Sequence, residues 1–390
     1  MAKELAFALI TPYSLMKSRT GGIMGRLLIR SRLDLVGARM IAPCRELVEQ
    51  YAAMLRRHGD TRGTGIDEGE LLSAYVEHLF MPDASTGRRR RVMLLIFEGE
   101  QAVERVNAAL GYFQKTITSA ETVRDTYGDL VRNSAGEVIF IEPGAISAPT
   151  VEKTGEALNL WVTMSDADSG LLEHTVDMDE GPDFERTLVM LKPDNFKFAS
   201  MRPGTIIDIF SGSGLRIVGA KVGRMSVAEA LEFYGPVRDT LRERKSQSSG
   251  KRARLAIEQE FGFPLPTDLE PSLGALLGPL FGDRQFNELV QFMTGYWPDD
   301  CSPEQLAEPG TSRILALAYA GANAVQRIRD ILGPTDPTKA APGSVRKEYG
   351  TDVMVNAAHA SDSPGNALRE MNIIKIQCDG LKALLNQYYQ

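Results

Sequence analysis

The residues that most often carry metals and disulfides are scarce here, with four histidines and three cysteines in 390 residues. Cys44, Cys301 and Cys378 are odd in number and far apart, which excludes a disulfide framework and a zinc site and suits a reducing cytoplasm. No apolar run approaches the ~20 residues that span a bilayer. The apolar stretch 5–10 meets Thr11-Pro12 and is too short for a signal peptide. Positive charge is not in excess: 44 Lys and Arg face 51 Asp and Glu, for a net −7. That excludes a broad surface for specific nucleic-acid binding but not a small basic pocket for phosphates. There is no Gly-x-x-x-x-Gly-Lys-[Ser/Thr] segment and no Gly-x-Gly-x-x-Gly after a strand. Ser211-Gly212-Ser213-Gly214 reads as a turn. Any polyphosphate must therefore be gripped by side chains rather than by a glycine nest.

What is present is ordinary for a folded chain, 43% hydrophobic and 24% charged. The length leaves room for two domains of roughly 150 residues each. An internal repeat gives that division substance. Leu35-Val36-Gly37-Ala38-Arg39-Met40 returns as Ile217-Val218-Gly219-Ala220-Lys221-Val222. Glu98-Gly99-Glu100-Gln101-Ala102-Val103-Glu104-Arg105 returns as Ala320-Gly321-Ala322-Asn323-Ala324-Val325-Gln326-Arg327. Val123-Arg124-Asp125-Thr126-Tyr127-Gly128 returns as Val345-Arg346-Lys347-Glu348-Tyr349-Gly350. The late pairs are further apart than the early ones, so the second copy carries an insertion, placed at about 244–284. The seam 166–183 is acidic and holds Gly and Ser, as a solvated linker does. The domains are expected at 1–165 and 184–390.

In the second copy, strands are expected at Arg186–Leu191, Leu215–Val222, Ile314–Tyr319 and Val353–Ala357. Helices are expected at Gly204–Phe210, from Ser226 with Glu229 completing a capping box, at Ala322–Leu332 ended by Gly333-Pro334, and from Ser363-Pro364. The order is βαββαβ. The fold class is α+β: two tandem ferredoxin-like domains, each an antiparallel four-stranded sheet with helices packed on it.

Among the histidines, His58, His78 and His174 lie in a polar loop, a helix-like run and the seam, and read as bland. His359 lies beside a buried-looking strand, ahead of a helix N-terminus. Around it in the sequence stand Lys192 at a strand end, Arg329 on a helix, and Arg346 after the loop 334–343. Arginine forks suit phosphate oxygens. Glu370 lies about two turns into the following helix and could reach one imidazole nitrogen, which would leave the other as a nucleophile.

The second copy resembles nucleoside diphosphate kinase. The likeness rests on Glu185–Asp194, on Arg329–Pro337 with Pro342–Arg346, and on Asn356-Ala357-Ala358-His359-Ala360-Ser361-Asp362-Ser363, which resembles the family's Asn-x-x-His-Gly-Ser-Asp-Ser signature. The resemblance implies His359 as the nucleophile that becomes phosphohistidine, with Glu370 and Ser361 orienting its ring. It implies Lys192, Tyr234, Arg329, Thr335, Arg346 and Asn356 around phosphates and ribose, with Leu289 and Val353 flanking the base. It further implies Mg2+ on the phosphates, nucleoside di- and triphosphates as substrates, ping-pong transfer, and a cytoplasmic homo-oligomer. A fused pair could stand for a dimer, so three chains would form a trimer of pseudo-dimers.

The sequence departs from the pattern at several places. Ala360 replaces the glycine after histidine, and Asn195 stands for the glycine of the Lys-Pro-Asp-Gly turn, a residue type that tolerates left-handed geometry. Phe286 is near the expected place of the stacking phenylalanine. In the first copy Thr11 and Asn107 match Lys192 and Arg329, and 138–144 holds no histidine. Tyr51 and Arg124 remain. The first copy reads as degenerate and inactive, and Arg88–Arg91 as a solvated strand entry. The contrasting reading is a non-catalytic nucleotide-binding or scaffold protein.

Overall fold

The computed structural model describes residues 2–57, 68–113, 120–135, 138–165, 170–176, 178, 180–378 and 380–389. The chain forms two compact units, residues 1–223 with 315–390, and residues 224–314.

In the first unit, β1 (Glu4–Ile10), β2 (Asp34–Ile41), β3 (Val92–Gly99), β4 (Asp129–Arg132), β5 (Val138–Glu142) and β6 (Ala145–Ile146) belong to the N-terminal half. β7 (Phe184–Leu191), β8 (Arg216–Gly223), β9 (Ile314–Ala322) and β10 (Ala358–Ala360) belong to the C-terminal half. The two main sheets run β2-β3-β1-β6 and β10-β7-β9-β8, while β4 and β5 form a separate hairpin. Both have the ferredoxin-like order, with the first and third strands of each half central and antiparallel. β1 reads Leu-Ala-Phe-Ala-Leu-Ile after Glu4, and each of these six side chains is fully buried. A strand covered on both faces can be apolar throughout rather than alternating.

The halves meet about an internal two-fold. Helices Thr20–Ser31 and Arg202–Ser211 cross at Gly21 and Gly204. A Cβ on Gly21 would stand 2.2 Å from the Gly204 carbonyl oxygen, and a Cβ on Gly204 would stand 2.2 Å from that of Gly21. This is the self-complementary contact of a dimer, built within one chain. Gly22 N–H adds a hydrogen bond to Asp208 Oδ1 at 2.9 Å. The edges exchange cover as well. Leu171, after the first half, lies against Gly219 of β8, and Leu381, after the second, lies against Gly37 of β2. Leu381 and Leu385 of the last helix, Leu381–Tyr388, complete the core of the first half.

Three expectations change here. The fourth strand is Ala358–Ala360 rather than Val353–Ala357, because pairing with β7 sets its position, and the apolar look of 353–357 does not. The seam is not a solvated linker where it is described. Leu171, Leu172 and Met178 are buried, and Leu172 N–H bonds to Val218 O at 2.8 Å; residues 166–169, 177 and 179 lie outside the described residues. The arginine run is solvated at Arg88 and becomes buried by Arg91. Arg88 donates to Met178 O at 3.1 Å, and buried Arg91 donates to Ile217 O at 2.6 Å.

The second unit is a helical hairpin, Val227–Phe261 and Glu270–Thr294. Ser226 and Glu229 form the expected capping box. The Gly- and Pro-rich stretch 261–282 is mostly helix. Pro271 sits at its start, where no donor is lost. Gly274, Gly278 and Gly282 make one stripe along it, against Ser246 and Arg242 of the other helix. Asp283 holds the helices together by ion pairs to Arg238 and Arg242, both at 2.8 Å. Hydrogen bonds from those two arginines push its carboxyl down to about 2.

Candidate active site

His359 lies at the centre of β10, opposite Met190 of β7. Ser363 caps and Pro364 opens the next helix, Pro364–Ile373, which fixes the turn on which Glu370 stands. His359 Nε2 is 2.8 Å from Glu370 Oε2. Ser361 Oγ donates to the same oxygen at 2.6 Å. The Glu370 side chain is 7% exposed and that of His359 is 21%, so the ring is anchored on its inner edge and reachable by solvent. A carboxylate accepting from Nε2–H fixes the tautomer and leaves the lone pair on Nδ1.

Lys192 follows β7 and donates Nζ–H bonds to Asn356 Oδ1 at 2.7 Å and Met354 O at 3.0 Å. Burial, and then neighbouring Arg346, push its ammonium down to about 7. Asn356 is fixed in turn by donating to Val353 O at 2.9 Å and Thr335 O at 3.1 Å. Arg346, on helix Val345–Tyr349, donates to Gly333 O at 2.9 Å and to Ala358 O at 3.2 Å, beside the histidine. Arg329 stands on helix Ala324–Leu332, whose C-cap is the expected Gly333. Hydrogen bonding from Asn366 lowers the Asp362 carboxyl first, and the charge of Arg329 adds to it. So Lys192, Arg346, Asn356, His359, Ser361 and Glu370 converge, with Thr335 and Val353 supplying carbonyls and the charge of Arg329 felt at Asp362. Tyr234 and Leu289 belong to the hairpin unit, where Tyr234 is buried against Phe233 and Leu289 is half-buried. Phe286 is 1% exposed, with Arg238 over its ring at 5.4 Å, and serves the hairpin core.

The two departures from the signature prove mild for the backbone. Neither Ala360 nor Asn195 has a positive φ. Asn195 acts through its side chain instead, donating to Lys192 O at 2.9 Å and Ala357 O at 2.7 Å and accepting from Arg202 Nε at 2.8 Å. The strained residue is Ala357, at φ 70. There Ala358 N–H bonds to Asn356 O at 2.8 Å in a γ-turn. The first copy makes the same turn at Gly144, φ 71, with Ala145 N–H on Pro143 O. Sequence reasoning read Asn195 as a turn residue without its side-chain bonds and missed Ala357; repeat alignment of Ala357 with Gly144 was the available signal.

The first copy has other groups at the matching places. Ile146 pairs with Leu9 as His359 pairs with Met190. Thr11 Oγ1 donates to Glu142 at 2.8 Å, and Glu142 also accepts from Tyr75 Oη, Ser14 Oγ and Gly144 N–H. Asn107 is spent on the carbonyls of Val103 and Ala148. Of the other histidines, His58 lies outside the described residues and exposed His174 pairs with Glu180 at 3.0 Å. Among the described residues no group of three His, Cys, Asp or Glu could hold a metal ion. No helix among them is long and apolar enough to cross a membrane.

Comparison with known proteins gives these residues a context. The family model for nucleoside diphosphate kinase matches residues 282–376. The nucleoside diphosphate kinase of Bdellovibrio bacteriovorus is 30% identical over 187 residues, covering 48% of this chain and 89% of that protein. That of Pyrobaculum aerophilum is 31% identical over 201 residues, covering 48% and 92%. The crystal structure of the Aquifex aeolicus nucleoside diphosphate kinase, 29% identical, aligns over 49% of this chain and 94% of its own, with a TM-score of 0.32. With the Bdellovibrio and Pyrobaculum proteins 30% and 31% identical and matched over 89% and 92% of their own lengths, the chain belongs to the nucleoside diphosphate kinase family.

Proposed function

We propose that the chain is a nucleoside diphosphate kinase with one working site, in which His359 carries the phosphoryl group. The observation that carries this reading is the His359–Glu370–Ser361 hydrogen-bond set, solvent-reachable and next to Lys192 and Arg346. In the first half-reaction the Nδ1 lone pair attacks the terminal phosphorus of a nucleoside triphosphate. The P–O bond breaks, and its electrons leave with the nucleoside diphosphate. In the second, a terminal phosphate oxygen of another nucleoside diphosphate attacks the phosphohistidine, and the lone pair returns to Nδ1. Glu370 and Ser361 hold the ring in line, and Lys192, Arg329 and Arg346 would neutralise the phosphate oxygens. Asn356, Thr335 and Tyr234 would contact phosphate and ribose, with Val353 and Leu289 at the base. Mg2+ would enter on the nucleotide and offset phosphate charge, a role that asks for few protein carboxylates.

Our division of the chain assigns 1–165 to an inactive copy, 166–183 to the connection and 184–390 to the active copy. Three such chains would assemble as a ring of six domains, in a cytoplasm that keeps the three unbridged cysteines reduced. Initial rates of phosphate transfer from ATP to a second nucleoside diphosphate, measured against both substrates, test the reading. Parallel double-reciprocal lines are expected. Absence of turnover would leave a non-catalytic nucleotide-binding protein.

A further inference from the structure

The degenerate half keeps a cleft open to solvent, lined by residues of its first strand, several of its helices and the 147–149 segment. Its walls are mostly apolar, among them Phe7, Met54 and Leu72. Three polar atoms on residues lining it have no hydrogen-bond partner among the described residues: Tyr51 Oη, Ser147 Oγ and Arg124 Nε. Tyr51 is 1% exposed. A buried hydroxyl without a partner is destabilising, and a ligand offering an acceptor relieves that cost.

The charges select against phosphate. In the active half Lys192 and Arg346 lie together with Arg329 nearby, whereas here Thr11 turns to Glu142 and Asn107 to backbone carbonyls. The remaining cation, Arg124, is 3.5 Å from Glu68 and donates to Gly111 O at 2.7 Å. Its guanidinium also lies 4.3 Å from the Phe113 ring centroid. With one cation balanced by one carboxylate, a polyphosphate would bring several charges with nothing to answer them.

We infer that this cleft binds an uncharged heteroaromatic molecule bearing hydrogen-bond acceptors, the chemistry of a nucleoside without phosphates. The ring faces would lie on the apolar walls, and ring nitrogens or hydroxyls would take the Tyr51, Ser147 and Arg124 groups. The inference does not depend on transfer through His359.

Calorimetric titration of the full chain with adenosine, guanosine, cytidine and uridine, each in saturating ADP, tests it. At least one nucleoside should bind, one per chain. Tyr51→Phe and Ser147→Ala should each weaken that binding about three- to tenfold, the loss of one hydrogen bond. Both substitutions nearly conserve volume, and an unchanged melting transition shows that the variant is folded; if one variant is not, the other decides. No binding by any of the four, displacement by ADP, or equal affinity in the folded variants overturns the inference.

Discussion

Lys192 combines two demands that pull against each other. Burial and Arg346 favour its neutral amine, at about 7, while a phosphate beside it would favour the ammonium. The folded free protein therefore releases a proton there that the unfolded chain keeps up to its ordinary value. Between about 7 and 10.5 the unfolded state binds more protons, so this group's contribution to stability grows as pH rises through that window. Nucleotide binding acts the other way and returns the proton. Affinity for a nucleoside diphosphate should fall as pH rises above about 7, by at most tenfold per unit for one proton. Calorimetry in two buffers of different ionisation enthalpy should show net proton uptake at pH 8. No uptake would place the binding energy on groups other than Lys192. At this scale the sequence was most readable where the spacing is local. Ser363, Pro364 and Glu370 lie on one helix start, so Glu370 reaches His359 by helix geometry alone. Asn195 and Ala357 were not readable, because their roles come from β7 and β10 lying side by side.

Elements followed the same division. The Ser226–Glu229 capping box and the Gly333 C-cap are local devices, and the structure contains both. The fourth strand was misplaced, since its register is decided by β7, far away in sequence. The helix through the Gly- and Pro-rich stretch was hidden because glycine and proline normally argue against helix. Here the glycines let two helices touch along their backbones. A Cβ on Gly278 would lie 2.5 Å from the Ser246 backbone. Gly278→Leu should force the helices apart and cost about 1–3 kcal/mol locally. Hydrogen exchange should then speed up across 227–294 while β7 and β10 keep their protection. Unchanged exchange in the hairpin would show that this close approach is not what holds it.

The whole molecule is organised by the contact of Gly21 with Gly204 and by the exchange of cover between Leu171 and Leu381. The repeat announced two copies but not that they embrace, since a seam rich in Asp and Gly hides the buried Leu171, Leu172 and Met178. Gly204→Val would push a side chain into the Gly21 carbonyl and should lower stability of the full chain by about 1–3 kcal/mol in urea unfolding. A midpoint equal to the parent's would argue against the internal two-fold. The same asymmetric pair, one half with His359 and the other with Ile146 at that register, predicts the stoichiometry of the chemistry. Full-length protein incubated briefly with γ-labelled ATP and digested for mass spectrometry should carry one acid-labile phosphoryl group per chain, on His359, that passes to added nucleoside diphosphate and is absent from His359→Ala. Label on another residue, or undiminished label in the alanine variant, would contradict the account.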